Sequence, residues 1–514
     1  MKLKKLPLGI YTFKKIIEED YLYIDKTKEA LDLITNYTYA FLSRPRRFGK
    51  SLFLNTLKKI FLGDKELFQD LYIYDKWDFK KYPVIHINFA GDFKSMDSIK
   101  ETMLSILKFN QKELGIYCEE SLSPTVCFDQ LIKDSYHKYN MPVVILVDEY
   151  DKPINDNLEN IELAMEAREF LKSFYEIIKA NDSYIKFAFL TGVSKFSKAG
   201  VFSGLNVFSD ISYHPDYGNI CGYTKNDLET SLKEHLKDVD LEKLKNWYNG
   251  YNFLKDEIYN PYGILQFISN KYLFKNYWFN TGTPSILIKL LDRNYYNILD
   301  LENITISEID LEAFDVANIK LDILLLQTGY LTIDKRIIDE DEILYKLRVP
   351  NKEVSMSLNY IFFQYLTKID RVSKNIFKLF KYLKFDEIEK DLTLLFDKLP
   401  HQNYKNNDIS NYEGYYASVF YAYLASAGIR LIGESSSNNG DADLVAFIED
   451  KIYIIEFKVN KEKALNQIKE KGYHKSYLDK EVYIIGINFD KKERNIKNFV
   501  WEKISTNTIY KAFL

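Results

Sequence analysis

Cysteine is nearly missing from this chain of 514 residues: Cys118, Cys127 and Cys221 are the only three, and no two form a C-x-x-C pair. That scarcity excludes a disulfide framework and a cysteine-rich zinc site, and it fits a reducing compartment. The six histidines form no H-E-x-x-H or comparable spacing, which argues against a zinc enzyme. Nowhere is there an apolar run of about 18 residues, the length a membrane span needs. At the N-terminus, MKLKKLPLGIYTFKKII breaks its apolar residues with lysines before a signal-peptide core could form. The chain therefore reads as cytoplasmic, without a membrane partner. A formal net charge of -4 excludes a wholesale polycation, so any contact with nucleic acid must come from a local basic surface.

No internal repeat, low-complexity tract or Pro/Gly-rich linker marks a domain boundary, yet the length exceeds what one hydrophobic core serves, and roughly two to four domains are expected. The order of periodic segments places them. Between 39 and 190, the short apolar runs YAFLS, PVIHINF, MPVVILV and YIKFAFL alternate with segments of helical period, which indicates an α/β domain with a parallel sheet covered on both faces. Residues 286–400 lack such runs apart from YLTI near 330 and read as mostly amphipathic helix. From 402 the pattern is helix (412–427), hairpin (443–459), helix (462–472) and strand (482–489), a small α/β unit. The expected domains are 1–285, 286–400 and 401–514.

The first candidate site is RPRRFGKSL, residues 44–52, where the strand YAFLS runs into a loop and then into a helix. G-K-S in that context suits a phosphate-binding loop. Backbone N–H groups from about Arg46 to Ser51, with Phe48 and Gly49 between, would cradle a phosphate at the helix N-terminus, where the dipole favours an anion. Lys50 would reach the outer phosphates, Ser51 would hold Mg2+, and Leu52 continues into the helix. Arg44 stands where the usual motif has its first glycine, and Pro45 removes one N–H donor. A plain basic turn is the competing reading. VVILVDEYD, 143–151, weighs against it: a buried strand ends in Asp148, suited to Mg2+, and Glu149, suited to polarising a water. Thr191, ending the strand FAFL, is either a γ-phosphate sensor or an ordinary strand-end residue. Arg44, Arg46 and Arg47 are candidate arginines in cis for such a site.

The second candidate is GDADLVAFIEDKIYIIEFKV. A turn at Glu449-Asp450 puts Asp443 opposite Glu456, with Lys458 on the same strand face and Ile455 and Phe457 on the other. Two carboxylates about 4 Å apart repel by roughly 4 kcal/mol at an effective dielectric near 20. A divalent cation removes that cost, and two acids with a lysine suit phosphodiester hydrolysis. A solvated Glu–Lys face is the alternative, and a one-residue slip in the turn would part the acids. Glu413 in the preceding helix and Gln467 in the following one stand near this unit. Lys461, Lys463, Lys469, Lys471 and Lys475 could bind phosphate backbone or simply be solvated. Arg371, Lys374, Lys378 and Lys381 form a second basic stripe, read first as one side of an amphipathic helix and second as a DNA-facing surface.

With YLYIDKT, RPRRFGKSL, VDEYDKP, FLTGVSKFSKAGVFSGLN, CGYT, WYNGYNF, YNPYGIL and YWFNTGT in order, the sequence resembles the bacterial AAA-ATPase-like family. Members of that family commonly end in a PD-(D/E)XK nuclease domain. The resemblance implies a P-loop NTPase sheet, a mostly helical middle and a small restriction-endonuclease-like α/β domain, with ATP and Mg2+ as cofactors and DNA as a partner. It also implies that an Arg-Pro start is how this family writes its phosphate loop. By the same resemblance, Lys50, Ser51, Asp148 and Glu149 match the nucleotide site. Glu413, Asp443, Glu456, Lys458 and Gln467 match the nuclease superfamily's helix acid, strand acid, E-x-K pair and helix glutamine. Where the family often has Gly-Arg before the strand acid, this chain has Gly440-Asp441-Ala442-Asp443. The expected function is ATP binding and hydrolysis coupled to Mg2+-dependent DNA cleavage. The alternative is a nucleotide-binding scaffold whose C-terminal domain binds DNA or protein without cutting. The sequence leaves the oligomeric state open.

Overall fold

The computed structural model describes residues 3–117, 123–196, 207–278, 304–311, 316, 319–339, 342–369, 375–399, 413–437, 440–460, 464–477 and 480–504. The chain divides into two compact units: Met1–Leu287 with Thr305–Asn351, and Ile288–Ile304 with Lys352–Leu514. Among the described residues, no helix is long and apolar enough to cross a membrane.

In the first unit the four apolar runs become β1 (Tyr39–Ser43), β2 (Val84–Asn88), β3 (Val143–Asp148) and β4 (Ile185–Gly192), with the short β5 (Ser209–Asp210) at one edge. All pairings are parallel and the order is β2-β3-β4-β1-β5. Every residue of β3 is buried, which requires cover on both faces, as the uninterrupted apolar run implies. The intervening helices follow local signals. Pro124–Tyr139, for instance, starts with proline behind Ser123, whose hydroxyl accepts from the Val126 N–H, and stops where Asn140 turns left-handed at φ 49°. One consequence of the strand order matters for the site: β4 lies between β1 and β3, so the ends of all three converge on one edge.

The middle of the chain is helical, with an addition that the reading of 286–400 omits. β8 (Thr305–Ser307), β9 (Thr332–Asp339) and β10 (Glu342–Arg348) form an antiparallel sheet in the order β8-β10-β9. Beyond YLTI these strands are rich in charge, with few of the apolar runs that mark the other sheet, so periodicity did not reveal them. A small hairpin of β6 (Tyr251–Asn252) and β7 (Glu257–Ile258) adjoins β9: the Asn252 N–H donates to Thr332 Oγ1 at 2.8 Å, and Thr332 returns a bond to the Asn252 carbonyl at 3.2 Å.

The second unit is a five-stranded sheet in sequential order: β11 (Arg430–Ser437), β12 (Gly440–Ile448), β13 (Lys451–Val459), β14 (Glu481–Asp490) and β15 (Asn495–Ile504). Only β13 and β14 run parallel, and the helix Ala464–Lys471 makes the crossover between them. The sheet has two apolar faces. Tyr453, Phe457, Tyr483 and Phe489 pack against Phe380, Phe420, Phe385, Phe396 and Tyr416. Ile452, Ile454, Val482 and Ile484 meet Ile468 and Tyr473 on the other side. Glu456, Lys458, Gly486 and Asn488 extend this second set at period two, so they stand toward the crossover helix.

Candidate functional site

The phosphate-loop motif occupies the turn between β1 and the helix Lys50–Phe61. Its two left-handed residues are Arg47 (φ 69°) and Gly49 (φ 97°), so backbone freedom is needed there and not at Arg44. Phe48 anchors the loop from within, fully buried, its ring edge-on to Tyr251 and Phe253. Lys50 is buried and folds back, donating to the carbonyls of Arg44 at 2.8 Å and Pro45 at 3.0 Å. Burial pulls its ammonium pKa down, against the opposing charges of Asp148 and then Asp151. Arg46 and Arg47 are exposed, and Arg47 lies 5.1 Å over the Tyr262 ring. Ser51 and Leu52 are half-buried in the first helical turn.

Asp148 ends β3 with 2% exposure, and Thr191 Oγ1 donates to its Oδ1 at 2.8 Å. Because β4 lies beside β3, the Thr191 hydroxyl is spent on fixing this carboxylate. Glu149 follows in a left-handed conformation, φ 55°, with its side chain half exposed and Lys152 Nζ 3.7 Å away. A non-glycine residue held there costs on the order of 1 kcal/mol or more, a strain typical of functional turns.

The second cluster is on the hairpin β12–β13. Its ladder runs from Ile448↔Lys451 to Leu444↔Ile455, the register that the Glu449-Asp450 turn implies. One step further, Asp443 and Glu456 are joined differently. Asp443 N–H donates to Glu456 Oε2 at 3.4 Å, and Phe457 N–H donates to Asp443 Oδ2 at 2.7 Å, so each carboxylate takes the other strand's amide. Lys458 Nζ donates to Glu456 Oε1 at 3.1 Å, and Gln467 Nε2 bonds the same oxygen. Tyr473 in turn bonds Gln467. Gln467 reaches Glu456 because Gly486 lets the crossover helix descend: a Cβ there would meet Leu465 N at 2.5 Å. Glu456 is fully buried, and burial, followed by the Asp443 charge, pushes its carboxyl up to about 7.

Two family models match the chain, one around each cluster. The sequence model of the predicted AAA-ATPase family matches residues 7–202, and that of the PD-(D/E)XK nuclease superfamily matches 411–499. A curated protein of Azotobacter chroococcum mcd 1, described as an uncharacterized protein in the vnfD 5' region, is 40% identical over 517 residues, covering 98% of this chain and 100% of that protein. The chain belongs to the predicted AAA-ATPase family with a C-terminal PD-(D/E)XK domain. No solved structure matches.

Within this AAA-ATPase-like domain the structure corrects one reading of the loop. Arg44 is not available as an arginine in cis: buried, it donates to the carbonyls of Ser43 at 2.8 Å, Ser212 at 2.6 Å and Tyr217 at 3.1 Å, and it sits 4.0 Å over the Phe253 ring. Burial lowers its pKa to about 10. It is a strut under the loop. Two further residues belong to the site's frame. Asp151, also buried, accepts from the N–H groups of Val193 at 2.9 Å and Ser194 at 2.6 Å, tying the turn after β3 to the turn after β4. Gln327, on the helix Leu321–Thr328, clamps the main chain of Lys195 with two bonds of 3.2 and 3.3 Å. Asp151 had a visible signal, an acid three residues past Asp148. Gln327 had none.

In the PD-(D/E)XK domain, Glu413 opens the helix Glu413–Ser426, but its side chain, like that of Asp441, lies outside the described residues. Among the described residues no three acids, histidines or cysteines cluster as a metal set. The basic stripes divide. Lys381 pairs with Glu449 at 2.5 Å and Lys469 pairs with Glu502, so neither points freely at a partner. Lys378, Lys471 and Lys475 are exposed, whereas Arg371, Lys374, Lys461 and Lys463 lie outside the described residues.

Proposed function

We propose that residues 1–285 bind and hydrolyse ATP with Mg2+, and that residues 401–514 cleave DNA phosphodiesters with Mg2+, the helical middle, 286–400, connecting them. The observation that carries the nuclease half is the buried Glu456 carboxyl, raised to about 7 beside Asp443, with Lys458 and Gln467 bonded to it. Hard oxygen donors whose ionised form is disfavoured by burial and by a neighbouring carboxylate suit a divalent cation. Asp443 and Glu456, with Glu413, would hold it. When bound, it supplies a nucleophilic water at neutral pH and charge for the leaving oxygen. Lys458 then orients the attacking water and offsets charge on the phosphate, and Gln467 keeps the Glu456 side chain in one rotamer.

In the ATPase half, the amides of residues 46–51 and the ammonium of Lys50 receive the phosphates, which replace the carbonyls of Arg44 and Pro45 as partners of Lys50. Ser51 and Asp148 suit Mg2+. Thr191 holds Asp148, and Glu149 is placed to polarise the attacking water. A second reading, a scaffold that binds without cutting, is favoured by one observation: Asp443, Lys458 and Gln467 already satisfy one another around Glu456.

Purified protein with Mg2+ should nick DNA, and Asp443→Ala or Lys458→Ala should abolish it. Cleavage surviving both substitutions excludes this site, and no cleavage by the unaltered chain favours the scaffold. Labelled ATP should be retained on a filter by the wild type and lost with Lys50→Ala; equal retention removes the nucleotide assignment.

A further inference from the structure

Asn488, on β14, carries no signal in the sequence, yet it stands beside the nuclease-like cluster. It is the Cα partner of Lys458 across the parallel β13–β14 pair, as Gly486 is of Glu456. Partners in a parallel ladder project to the same face, so the Asn488 amide lies on the face of Glu456 and Lys458, about 5 Å along the hydrogen-bonding direction. The side chain is 4% exposed and its Oδ1 is buried with no hydrogen-bond partner. A buried amide oxygen left unmet disfavours the fold, and nearly all such atoms in proteins find a donor. The side chain of its ladder partner, Lys458, ends in an ammonium with three N–H donors and no acceptor. That ammonium leans toward Glu456 Oε1, the oxygen that Gln467 also takes.

We infer that Asn488 is a positioning residue for Lys458: its Oδ1 receives the Lys458 ammonium whenever Glu456 is engaged elsewhere. The inference rests on the proposed nuclease reading for its purpose, since a cation on Glu456 competes with Lys458 for the same carboxylate oxygen. Once the carboxylate is taken, Asn488 Oδ1 is a buried acceptor on the same sheet face that the ammonium can use. With Asn488 beside it, the ammonium stays over the cluster. Glu456 holds Lys458 in one state and Asn488 holds it in the other.

The test needs neither metal nor DNA, because removing the carboxylate imitates its engagement. Lys458 labelling by isotope-coded reductive methylation of the full chain, read by peptide mass spectrometry, is compared in a Glu456→Leu background with and without a change at Asn488. Adding Asn488→Leu should raise Lys458 labelling at least about threefold, whereas adding Asn488→Asp, which keeps an acceptor, should not. Asn488→Ala, which only deletes the amide, replaces Asn488→Leu if circular dichroism shows the larger side chain disrupts folding. Equal labelling in the apolar and Asp variants overturns the inference. DNA cleavage by the wild type with Mg2+, run alongside, reports on the nuclease reading separately. A chain that never cuts but shows the labelling difference keeps the role of Asn488, and a chain that cuts without that difference loses it.

Discussion

Glu456 concentrates the electrostatic tension of the C-terminal unit in one side chain. Its carboxyl titrates near 7 when folded, because burial and then Asp443 oppose ionisation, against about 4.5 when unfolded. The folded state therefore binds the proton more tightly, and between pH 4.5 and 7 stability falls as pH rises, the loss being complete above 7. Glu456→Gln removes the charge and should flatten that slope, making the unit more stable than wild type by about 2 kcal/mol at pH 8 and no different at pH 4. Urea unfolding at the two pH values checks this. Thr191 allows the reverse experiment at the other site. Thr191→Val keeps the shape but removes the donor to Asp148, leaving a buried carboxylate short of a partner. It should cost about 1–3 kcal/mol and slow ATP hydrolysis by roughly tenfold or more, since a misplaced carboxylate misplaces what it orders. The urea midpoint and phosphate release measure the two effects.

Among the elements, the β6–β7 hairpin gives the WYNGYNF segment a structural role. Tyr251 and Phe253 pack on Phe48 of the phosphate loop, and Phe253 also lies under Arg44. At the same hairpin Gly250 has φ 98°, and a Cβ on it would fall 2.0 Å from the Pro350 carbonyl oxygen. Arg348 donates to the Gly250 carbonyl at 3.0 Å and Asn351 to that of Asn249 at 2.8 Å, so this close approach fixes the last residues of the first unit. Gly250→Ala meets both a left-handed backbone and a backbone clash, and should destabilise the first unit by roughly 2–4 kcal/mol. Thermal unfolding should show its transition move while that of the second unit stays. ATP affinity should fall as well, because Phe48 loses its support.

At the scale of the whole molecule, two units with separate cores predict two unfolding transitions, so one midpoint would not describe the chain. A ligand raises only the transition of the unit that binds it. At a free concentration of about 100 Kd, ATP with Mg2+ should add roughly 2.7 kcal/mol to the first unit. Lys50→Ala should abolish that gain and leave any Mg2+-dependent gain of the second unit intact. Calorimetry with and without nucleotide separates the two.

Much of this was legible in the residues because it depends on local order. The apolar runs of β1 to β4, the strand–loop–helix context of Gly49-Lys50-Ser51 and the two-residue turn that sets Asp443 against Glu456 are fixed by periodicity and turn length, which act over a few residues. β8, β10, β11, β15 and all but the start of β9 escaped because charged or polar side chains along them blur the period of two, and their pairing depends on neighbours distant in the chain. Tertiary structure alone decided that β4 separates β1 from β3 and so spends Thr191 on Asp148, that Arg44 is buried on three carbonyls, and that Gly486 lowers Gln467 onto Glu456 and leaves Asn488 beside Lys458. Each is a contact between segments far apart in sequence, and no local pattern encodes which distant backbone will arrive there.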